Sequence, residues 1–302
     1  MGHSSLGRVR EPIDPDVIHA ALVTSGQPWR SLEFHPSIGS TNSRAAELVR
    51  SPAPVPGAGS GHSTRPYAAG LGPHDSPLWR VVLTDDQTGG RGRLGRTWQV
   101  PPRASVAVSA IVPAPADLGW APLLAGVALA RALEGVATAT GARLRPRLKW
   151  PNDVLLPEDD DRKVAGILCE FAEGPHGRAV VVGAGVNVDQ SRDELPVPTA
   201  TSLRVAGAAV AREHLVIAFL TELAAVLNSG SSGRSEYRRL CATVGSQVEV
   251  HLPTGALASG RAVRVDDSGA LVVEVAGGER AFSAGDVVHV RPGAEPAGMI
   301  GP

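Results

Sequence analysis

The sequence predicts an α/β (α+β) protein in which flanking helices cover a mixed central sheet, followed by a small C-terminal β-barrel. Segments of strand character and segments of helical periodicity follow one another through most of the chain. Residues 245–290 instead hold short alternating segments separated by Gly, Asp and Ser turns, which favours a barrel. A chain of 302 residues can bury the cores of one large and one small domain. The predicted domains are 1–242 and 243–292, with a tail over 293–302.

The first elements are a helix, a strand and a second helix. Apolar residues at helical spacing predict a helix over 14–24, and a strand over 29–34 follows. The side chains of Ser40, Thr41 and Asn42 can cap a helix over 44–49, because their oxygens accept backbone N–H groups that a helix leaves unpaired. Residues 51–77 are dense in Pro, Gly, Ser and His without apolar periodicity, which indicates a flexible surface insertion.

The remaining elements complete the sheet, its helical cover and the barrel. Further sheet strands are predicted over 79–83, 105–112, 148–156, 164–171 and 179–188. Helices are predicted over 121–136 and 210–227, the latter as the last long helix. Residues 158–161 are acidic and favour a solvated hairpin turn over a metal site. The barrel strands are predicted over 248–252, 261–265, 271–275 and 287–290.

Composition excludes several classes of protein. The net charge of −1 and the isoelectric point of about 6.8 argue against a general nucleic-acid binder, which usually carries a basic excess. Cys169 and Cys241 are too few for a disulfide framework, so two reduced thiols are expected. The polar N-terminus and the lack of an apolar run of about 18 residues predict a cytoplasmic protein without a membrane anchor.

The stretch Gly89–Trp98 has the composition of an anion-binding loop. Glycines separate Arg91, Arg93 and Arg96. Arginine grips phosphate or carboxylate with two parallel N–H groups, and glycine lets the backbone approach a ligand closely. The indole of Trp98 offers a flat surface on which a base can stack. Taken alone, the stretch also fits a solvated Gly/Arg loop or an RNA-binding segment.

Lysine is rare in this chain. Of the 29 basic residues, only Lys149 and Lys163 are lysines. A lysine ammonium is a compact charge with movable donors, which suits an oxygen whose charge grows during a reaction. Pro151 interrupts the strand after Lys149 and can direct Lys149 and Asn152 into a site.

The ordered motifs resemble those of biotin protein ligases, which attach biotin to a lysine of biotin-dependent carboxylases. Gln87–Trp98 resembles the family's biotin- and adenylate-binding loop. The other matching stretches, in the family's order, are 40–42, 149–153, 163–170 and 183–188. The resemblance implies a catalytic domain with the class II aminoacyl-tRNA-synthetase-like fold and an SH3-like C-terminal domain. The segment before Ser40 is too short for the family's DNA-binding domain, so no DNA partner is expected.

The resemblance also implies an adenylation mechanism and a set of site residues. ATP with Mg²⁺ would convert biotin to biotinyl-5′-AMP, with Lys149, Arg91 and Arg93 as the catalytic cations. The residues implied for biotin are Ser40, Thr41, Asn42, Gln87, Gly90, Arg91, Lys149, Gly166 and Gly185. Those implied for the nucleotide are Arg93, Arg96, Trp98, Asn152 and Asn187. Asp153 is the candidate Mg²⁺ contact, with a strand-end hydrogen bond as the alternative.

Gly166 and Gly185 can be explained in two ways. Each lies either where a side chain would block a ligand or where its strand forms a bulge.

The expected partner is the biotin carboxyl carrier domain of an acyl-CoA carboxylase. A homodimer is compatible with the sequence, although no interface is recognisable in it. Two other functions are weighed against biotin ligation. A lipoate or octanoate ligase would share the fold and the carrier lysine, and a non-enzymatic RNA-binding protein would use the Gly/Arg loop and the barrel.

Overall fold

A computed structural model describes residues 9–23, 25–51, 77–252 and 254–289. A seven-stranded sheet is made of β1 (Ser31–His35), β2 (Arg80–Thr84), β3 (Ser105–Pro113), β4 (Arg147–Lys149), β5 (Asp153–Leu156), β6 (Arg162–Gly174) and β7 (Gly177–Asn187). The helices are α1 (Pro15–Leu22), α2 (Thr41–Arg50), α3 (Ala121–Ala139), α4 (Arg212–Leu227) and α5 (Ser231–Leu240). A five-stranded sheet follows, with β8 (Gln247–His251), β9 (Leu257–Val265), β10 (Leu271–Val275), β11 (Gly278–Phe282) and β12 (Asp286–His289).

The large sheet is mixed, as predicted. Its strand order is β1-β2-β3-β7-β6-β5-β4, in which β1 and β2 are parallel and the other neighbours are antiparallel. Helix α2 packs on one face through a small apolar cluster with strands β2, β3, β6 and β7. Helices α3 and α4 cover the opposite face and belong to the main hydrophobic core. The sheet therefore has one fully covered face and one face that α2 covers only in part.

Helix α3 is the central core helix. Its length and apolar composition would also suit a membrane span, but 72% of the apolar window is buried inside the fold. Apolar residues nearly all round a helix are expected when the helix is buried in a core. Gly126 is needed at the contact with β4, since a Cβ there would lie 3.3 Å from a methyl group of Leu148.

Two elements were not predicted from the sequence. Helix α5 is mostly polar, and its fully buried aromatic residue, Tyr237, lies against Trp120 with ring centroids 5.9 Å apart. Strand β11 is also polar and exposed except for Phe282. In both segments tertiary contacts decide the conformation, and the hydrophobic pattern is too weak to indicate it.

The turn at residues 266–269 of the small sheet contacts two tryptophans of the larger part of the fold. The indole N–H of Trp120 donates to Asp267 O at 2.8 Å, and that of Trp150 donates to Gly269 O at 3.0 Å. Cys169 and Cys241 are both free, as expected. The predicted insertion lies outside the described residues over 52–76.

Candidate active site

The first turn of helix α2 forms a buried polar wall on the open face of the sheet. Ser40 caps the helix by accepting the Ser43 N–H at 3.3 Å, as predicted. The next residue, Thr41, lies with its hydroxyl oxygen 2.8 Å from Ser109 Oγ. Asn42 Oδ1 accepts from the same serine hydroxyl at 2.6 Å. A single serine in an apolar strand therefore ties together two predicted biotin residues.

The amide nitrogen of Asn42 reaches across the sheet. It donates to Leu168 O at 3.1 Å and to Glu170 Oε2 at 2.7 Å. Gly183 makes this position accessible, because a Cβ there would lie only 2.1 Å from Asn42 Oδ1. Asn42 is thus held at both ends of its amide group before any ligand is considered.

Gln87 joins the Gly/Arg loop to this wall. Its Oε1 accepts from the backbone N–H of Thr41 at 3.0 Å and from the Thr41 hydroxyl at 3.1 Å. Gly90 lies where only glycine fits, since a Cβ would be 2.4 Å from Trp98 O and 2.7 Å from Gln87 Nε2. We call Thr41, Asn42, Gln87 and Ser109 the polar wall.

The loop beyond Gly90 folds back on itself. Arg91 and Thr97 form an isolated antiparallel bridge, and the N–H of Trp98 donates to Gly90 O at 2.9 Å. The Arg91 guanidinium donates to Ser43 Oγ at 2.7 Å and lies 4.0 Å from Glu170. Arg91 is therefore the one loop arginine that faces the polar wall.

Trp98 lies on the strands at the paired positions Gly166 and Gly185. A Cβ on Gly185 would be 2.7 Å from the indole ring, and one on Gly166 would be 3.5 Å from it. The two glycines face each other in a regular β6–β7 register, so neither marks a bulge. In this structure the two glycines make room for Trp98, whereas the sequence predicted that they make room for a ligand.

The other two loop arginines point toward the barrel. Arg93 donates to Gly285 O at 3.2 Å, and Arg96 forms an ion pair with Asp286. The sequence predicted a phosphate contact for Arg93, and for Arg96 either a phosphate contact or a role in bracing the loop, without indicating these partners. The barrel therefore borders the predicted nucleotide site directly.

Lys149 and Asp153 face each other across a tight hairpin. The break predicted at Pro151 within the strand over 148–156 is a full reversal, because the chain turns back at Trp150–Asn152 and makes two antiparallel strands. Lys163 enters from β6 and forms an ion pair with Asp153, with Nζ 2.6 Å from Oδ1. The same Nζ lies 5.8 Å from the Trp98 ring centroid. We call Arg93, Arg96, Lys149 and Lys163 the cationic end.

The electrostatics of the cationic end favour an anion. Burial lowers the pKa of the Lys149 ammonium, and the nearby charges of Lys163 and Arg96 lower it further, against the opposing effect of Asp153. Burial also lowers the pKa of the Arg93 guanidinium. Among the described residues, Arg93 Nε and Trp98 Nε1 are buried donors without a hydrogen-bond partner. A polyanionic ligand would offset the repulsion and supply acceptors.

The predicted asparagine contacts differ in how free their side chains are. Asn152 donates through Nδ2 to Ile167 O at 2.8 Å beside the hairpin turn. Asn187 is buried, with Nδ2 donating to Thr201 O at 2.8 Å and Oδ1 accepting from Gln190 at 3.0 Å. The predicted nucleotide contact of Asn187 does not fit this structure, because both ends of its amide group are already bonded inside the fold.

Asp153, the candidate Mg²⁺ contact, forms an ion pair with Lys163 in this structure. Within the described parts of the chain, no three His, Cys, Asp or Glu side chains come together as metal ligands. The acidic turn is held by ion pairs, with Asp159 paired to Arg162 and Arg192.

Two site residues were not selected from the sequence. Lys163 opens the matching stretch 163–170 but was given no role in the site, and its partner Asp153 is brought close by the hairpin. Ser109 was detectable as a lone hydroxyl in the apolar strand β3. A cavity of about 330 Å³ lies between the sheet and the barrel, with Arg93 and Asn152 in its lining. A crevice of about 440 Å³ near Arg10 contains none of the predicted residues.

Comparison with known proteins gives matches over most of the chain. The model described as "Biotin/lipoate A/B protein ligase family" matches residues 74–187, and "Biotin protein ligase C terminal domain" matches 243–290. A "Biotin--[acetyl-CoA-carboxylase] ligase" from Mycobacterium tuberculosis is 34% identical, over 94% of this chain and 98% of that protein. A "Bifunctional ligase/repressor BirA" from Bacillus spizizenii is 28% identical, over 74% of this chain and 70% of that protein.

The fold has a solved counterpart as well. A biotin protein ligase from Aquifex aeolicus in complex with biotin and ATP superimposes with a TM-score of 0.64. The match covers 87% of this chain and 100% of that one at 22% identity, so it supports the fold alone. The mixed sheet and the SH3-like C-terminal sheet both correspond to this architecture.

Proposed function

Because this chain belongs to the biotin protein ligase family, we propose that it activates biotin with ATP and transfers the biotinyl group to a lysine of a carrier domain. The observation that carries the proposal is the cationic end beside the polar wall. Lys149 is a half-buried ammonium close to the cations Lys163 and Arg96, and the Gly/Arg loop that carries Arg96 begins at Gln87 of the polar wall. This arrangement suits a ligand with a polar amide-like head and an anionic tail.

The chemistry takes place in two steps. A carboxylate oxygen of biotin attacks the α-phosphorus of ATP, the bond to the bridging oxygen breaks, and pyrophosphate leaves with the electron pair. The product is the mixed anhydride biotinyl-5′-AMP. The unprotonated amine of the acceptor lysine then attacks the acyl carbon, AMP leaves, and the amine proton passes to solvent. Neither step requires a nucleophile from the enzyme.

The cationic end contributes to the first step by electrostatics. The carboxylate and the triphosphate repel each other, and negative charge builds up on the α-phosphate during the attack. Lys149 is assigned to the carboxylate and the α-phosphate, and Arg93 to the phosphates. Lys163, whose Nζ lies 2.6 Å from Asp153, is a further cation at the same place. Fixed charges in a partly buried site stabilise such a transition state more than water does.

The polar wall is assigned to biotin and the loop to closing the site. Thr41 and Gln87 are already oriented by each other, and Arg91 lies over them through its bond to Ser43. Trp98 and Arg96 are assigned to the nucleotide, together with Asn152. For Arg96 this role requires exchange of its partner Asp286 for phosphate. Mg²⁺ is assigned to the nucleotide phosphates, which neutralises part of their charge.

The family supports the class of carrier but not the location or the assembly state. The tuberculosis relative is named for acetyl-CoA carboxylase, which supports a biotin carboxyl carrier domain of that enzyme class as the acceptor. The cytoplasmic location, the homodimer and the boundary at 242/243 remain predictions. The match to the biotin ligase C-terminal domain supports biotin over lipoate as the acid. The net charge of −1 disfavours RNA binding.

The proposal is tested by acid-dependent exchange of labelled pyrophosphate into ATP. We expect exchange with biotin and none with lipoate or octanoate, followed by transfer of biotin to a purified carrier domain. If only lipoate supports exchange, the substrate is lipoate and not biotin. If no acid supports exchange, and the protein is retained on heparin at about 0.2 M salt, the RNA-binding alternative is favoured instead.

A further inference from the structure

We propose that Thr243 and His289 of the C-terminal domain are positioning residues, which fix the backbone at Trp150 and thereby direct Lys149 into the site. The inference rests on the proposed adenylation function of Lys149 and adds two residues to it. Neither residue belongs to a motif that the sequence analysis singled out. Both lie in the barrel or at its entrance, outside the Gly/Arg loop and the polar wall.

The direction of Lys149 depends on the backbone on either side of it. Lys149 ends the three-residue edge strand β4. On one side, Leu148 is buried and its carbonyl accepts from the Ala242 N–H at 2.7 Å. On the other side, Trp150 is 2% exposed and begins the reversal of the hairpin. Whatever fixes the backbone of Trp150 therefore fixes the position from which the lysine side chain extends.

Thr243 is the group that holds this backbone. The N–H of Trp150 donates to Thr243 Oγ1 at 2.9 Å. Thr243 is fully buried, so water is not available to replace its hydroxyl as the acceptor. The indole of the same tryptophan is fixed separately by its bond to Gly269 O. Loss of the hydroxyl would release the backbone while leaving the tryptophan ring anchored.

His289 determines which way the Thr243 hydroxyl points. Its Nε2 lies 3.1 Å from Thr243 Oγ1. A hydroxyl has one proton to donate, and donating it to the imidazole leaves an oxygen lone pair for the Trp150 N–H. Burial lowers the pKa of His289 to about 4, with Lys149 and Arg147 acting in the same direction against Asp161. The imidazole is therefore neutral at pH 7 and can accept at Nε2.

The first test replaces Thr243 by valine, which keeps the shape and removes the hydroxyl. We expect the maximal rate of biotin-dependent exchange to fall about 10-fold, because small displacements of a catalytic group have large effects on rate. The KM for biotin should change less than about 2-fold, since the polar wall is untouched. The exposed Thr254→Val in the same barrel is the matched control, and its kinetics should equal those of the wild type.

A double variant separates positioning from a merely structural role. If Thr243 acts through Lys149, then Thr243→Val should cause no further loss of rate in a Lys149→Ala background. Additive losses would overturn the proposal, because they would mean that the hydroxyl acts independently of the lysine. If the wild type shows no biotin-dependent exchange, the proposed function itself is wrong. This outcome is distinguishable from additive losses, which would contradict only the role of Thr243.

Substitutions of His289 test the second link. His289→Leu removes the acceptor and should lower the maximal rate several-fold, whereas His289→Gln keeps an acceptor oxygen and should restore most of it. His251→Leu is the control, as this exposed histidine lies on the neighbouring strand β8. Equal rates for the leucine and glutamine variants would overturn the role of His289.

Discussion

The polar wall and the cationic end lie side by side in one site but are in opposite physical states. In the polar wall, Thr41, Asn42 and Ser109 satisfy one another, and both ends of the Asn42 amide are bonded. In the cationic end, burial and mutual repulsion lower the pKa of Lys149, and the buried Arg93 Nε lacks a partner among the described residues. The hydrogen bonds of the polar wall are satisfied without a ligand, whereas the charges and the unpaired donor of the cationic end are satisfied only when an anion binds.

This difference predicts how substitutions divide between stability and activity. Residues of the wall stabilise the fold as well as the ligand, because their hydrogen bonds exist already. Residues of the cationic end cost stability in the free protein and contribute when charge develops on the substrate. Measurements of unfolding and of exchange on the same variants therefore test the comparison directly.

The largest effect is expected for Lys149→Ala. The maximal rate of biotin-dependent pyrophosphate exchange should fall about 10²-fold or more, the usual cost of losing a donor that stabilises developing charge. The melting temperature should stay the same or rise, because the folded state no longer buries this charge. Arg145→Ala is the control, since its side chain is 86% exposed at the other end of the hairpin strands. A loss of rate that merely follows a loss of stability would contradict the comparison.

Asn42→Ala should show the reverse division. The substitution removes the hydrogen bonds of the buried Asn42 amide to Ser109, Leu168 O and Glu170, so we expect a loss of about 2 kcal/mol in the free energy of unfolding. Chemical denaturation measures this value. Asn228→Ala is the matched control, since this helix-end asparagine makes a single bond to Ala224 O and should cost less than about 1 kcal/mol. Equal losses for the two asparagines would mean that the wall does not stabilise the fold.

Gly185→Ala tests the boundary between the two regions. An added Cβ would lie 2.7 Å from the Trp98 indole, so the ring must shift away from the strand. Overpacking costs about 1–3 kcal/mol. Because Trp98 is on a loop, we expect this cost to raise the KM for ATP about 10-fold with little change for biotin. Gly135→Ala, at an exposed position of helix α3, meets no atom within 4 Å and should be neutral or stabilising. An unchanged KM for ATP would exclude Trp98 from the nucleotide site.

The sequence predicted the parts of this molecule that local chemistry determines. The cap at Ser40, the order of strands and helices, and the Gly/Arg loop each depend on neighbouring residues. The ion pair of Lys163 with Asp153 depends on a hairpin, of which the sequence indicated only the break at Pro151. The sequence assigned Asn187 to the nucleotide. Its bonds to Thr201 and Gln190, which occupy the side-chain amide, arise only in the folded chain and are not visible in the sequence.

The barrel's part in the site was equally hidden from the sequence. Arg93 and Arg96 meet Gly285 and Asp286, which lie about 190 residues further along the chain. No periodicity or motif links segments so far apart. Docking of one domain on another is a tertiary property, so it is accessible only from the structure.

The smallest predicted effect concerns the support behind the polar wall. Glu33 of β1 holds helix α2 through Arg44, with Nε 2.7 Å from Oε1. Although burial raises the pKa of Glu33, hydrogen bonds from His35 and Arg44 lower it to about 2 from the ordinary 4.5. A carboxylate with a lowered folded-state pKa stabilises the protein above its unfolded pKa. That contribution is lost as the pH falls from 4.5 toward 2.

Glu33→Gln should therefore cost about 1 kcal/mol or less at pH 7, since the pair is partly exposed and screened by solvent. The difference in unfolding free energy between the wild type and the variant should shrink as the pH falls from 4.5 toward 2, because other carboxylates titrate equally in both proteins. Glu47→Gln, which removes the 64% exposed second partner of Arg44, should show a smaller difference at every pH. A Glu33 effect independent of pH would mean that shape, and not charge, holds helix α2 and the polar wall in place.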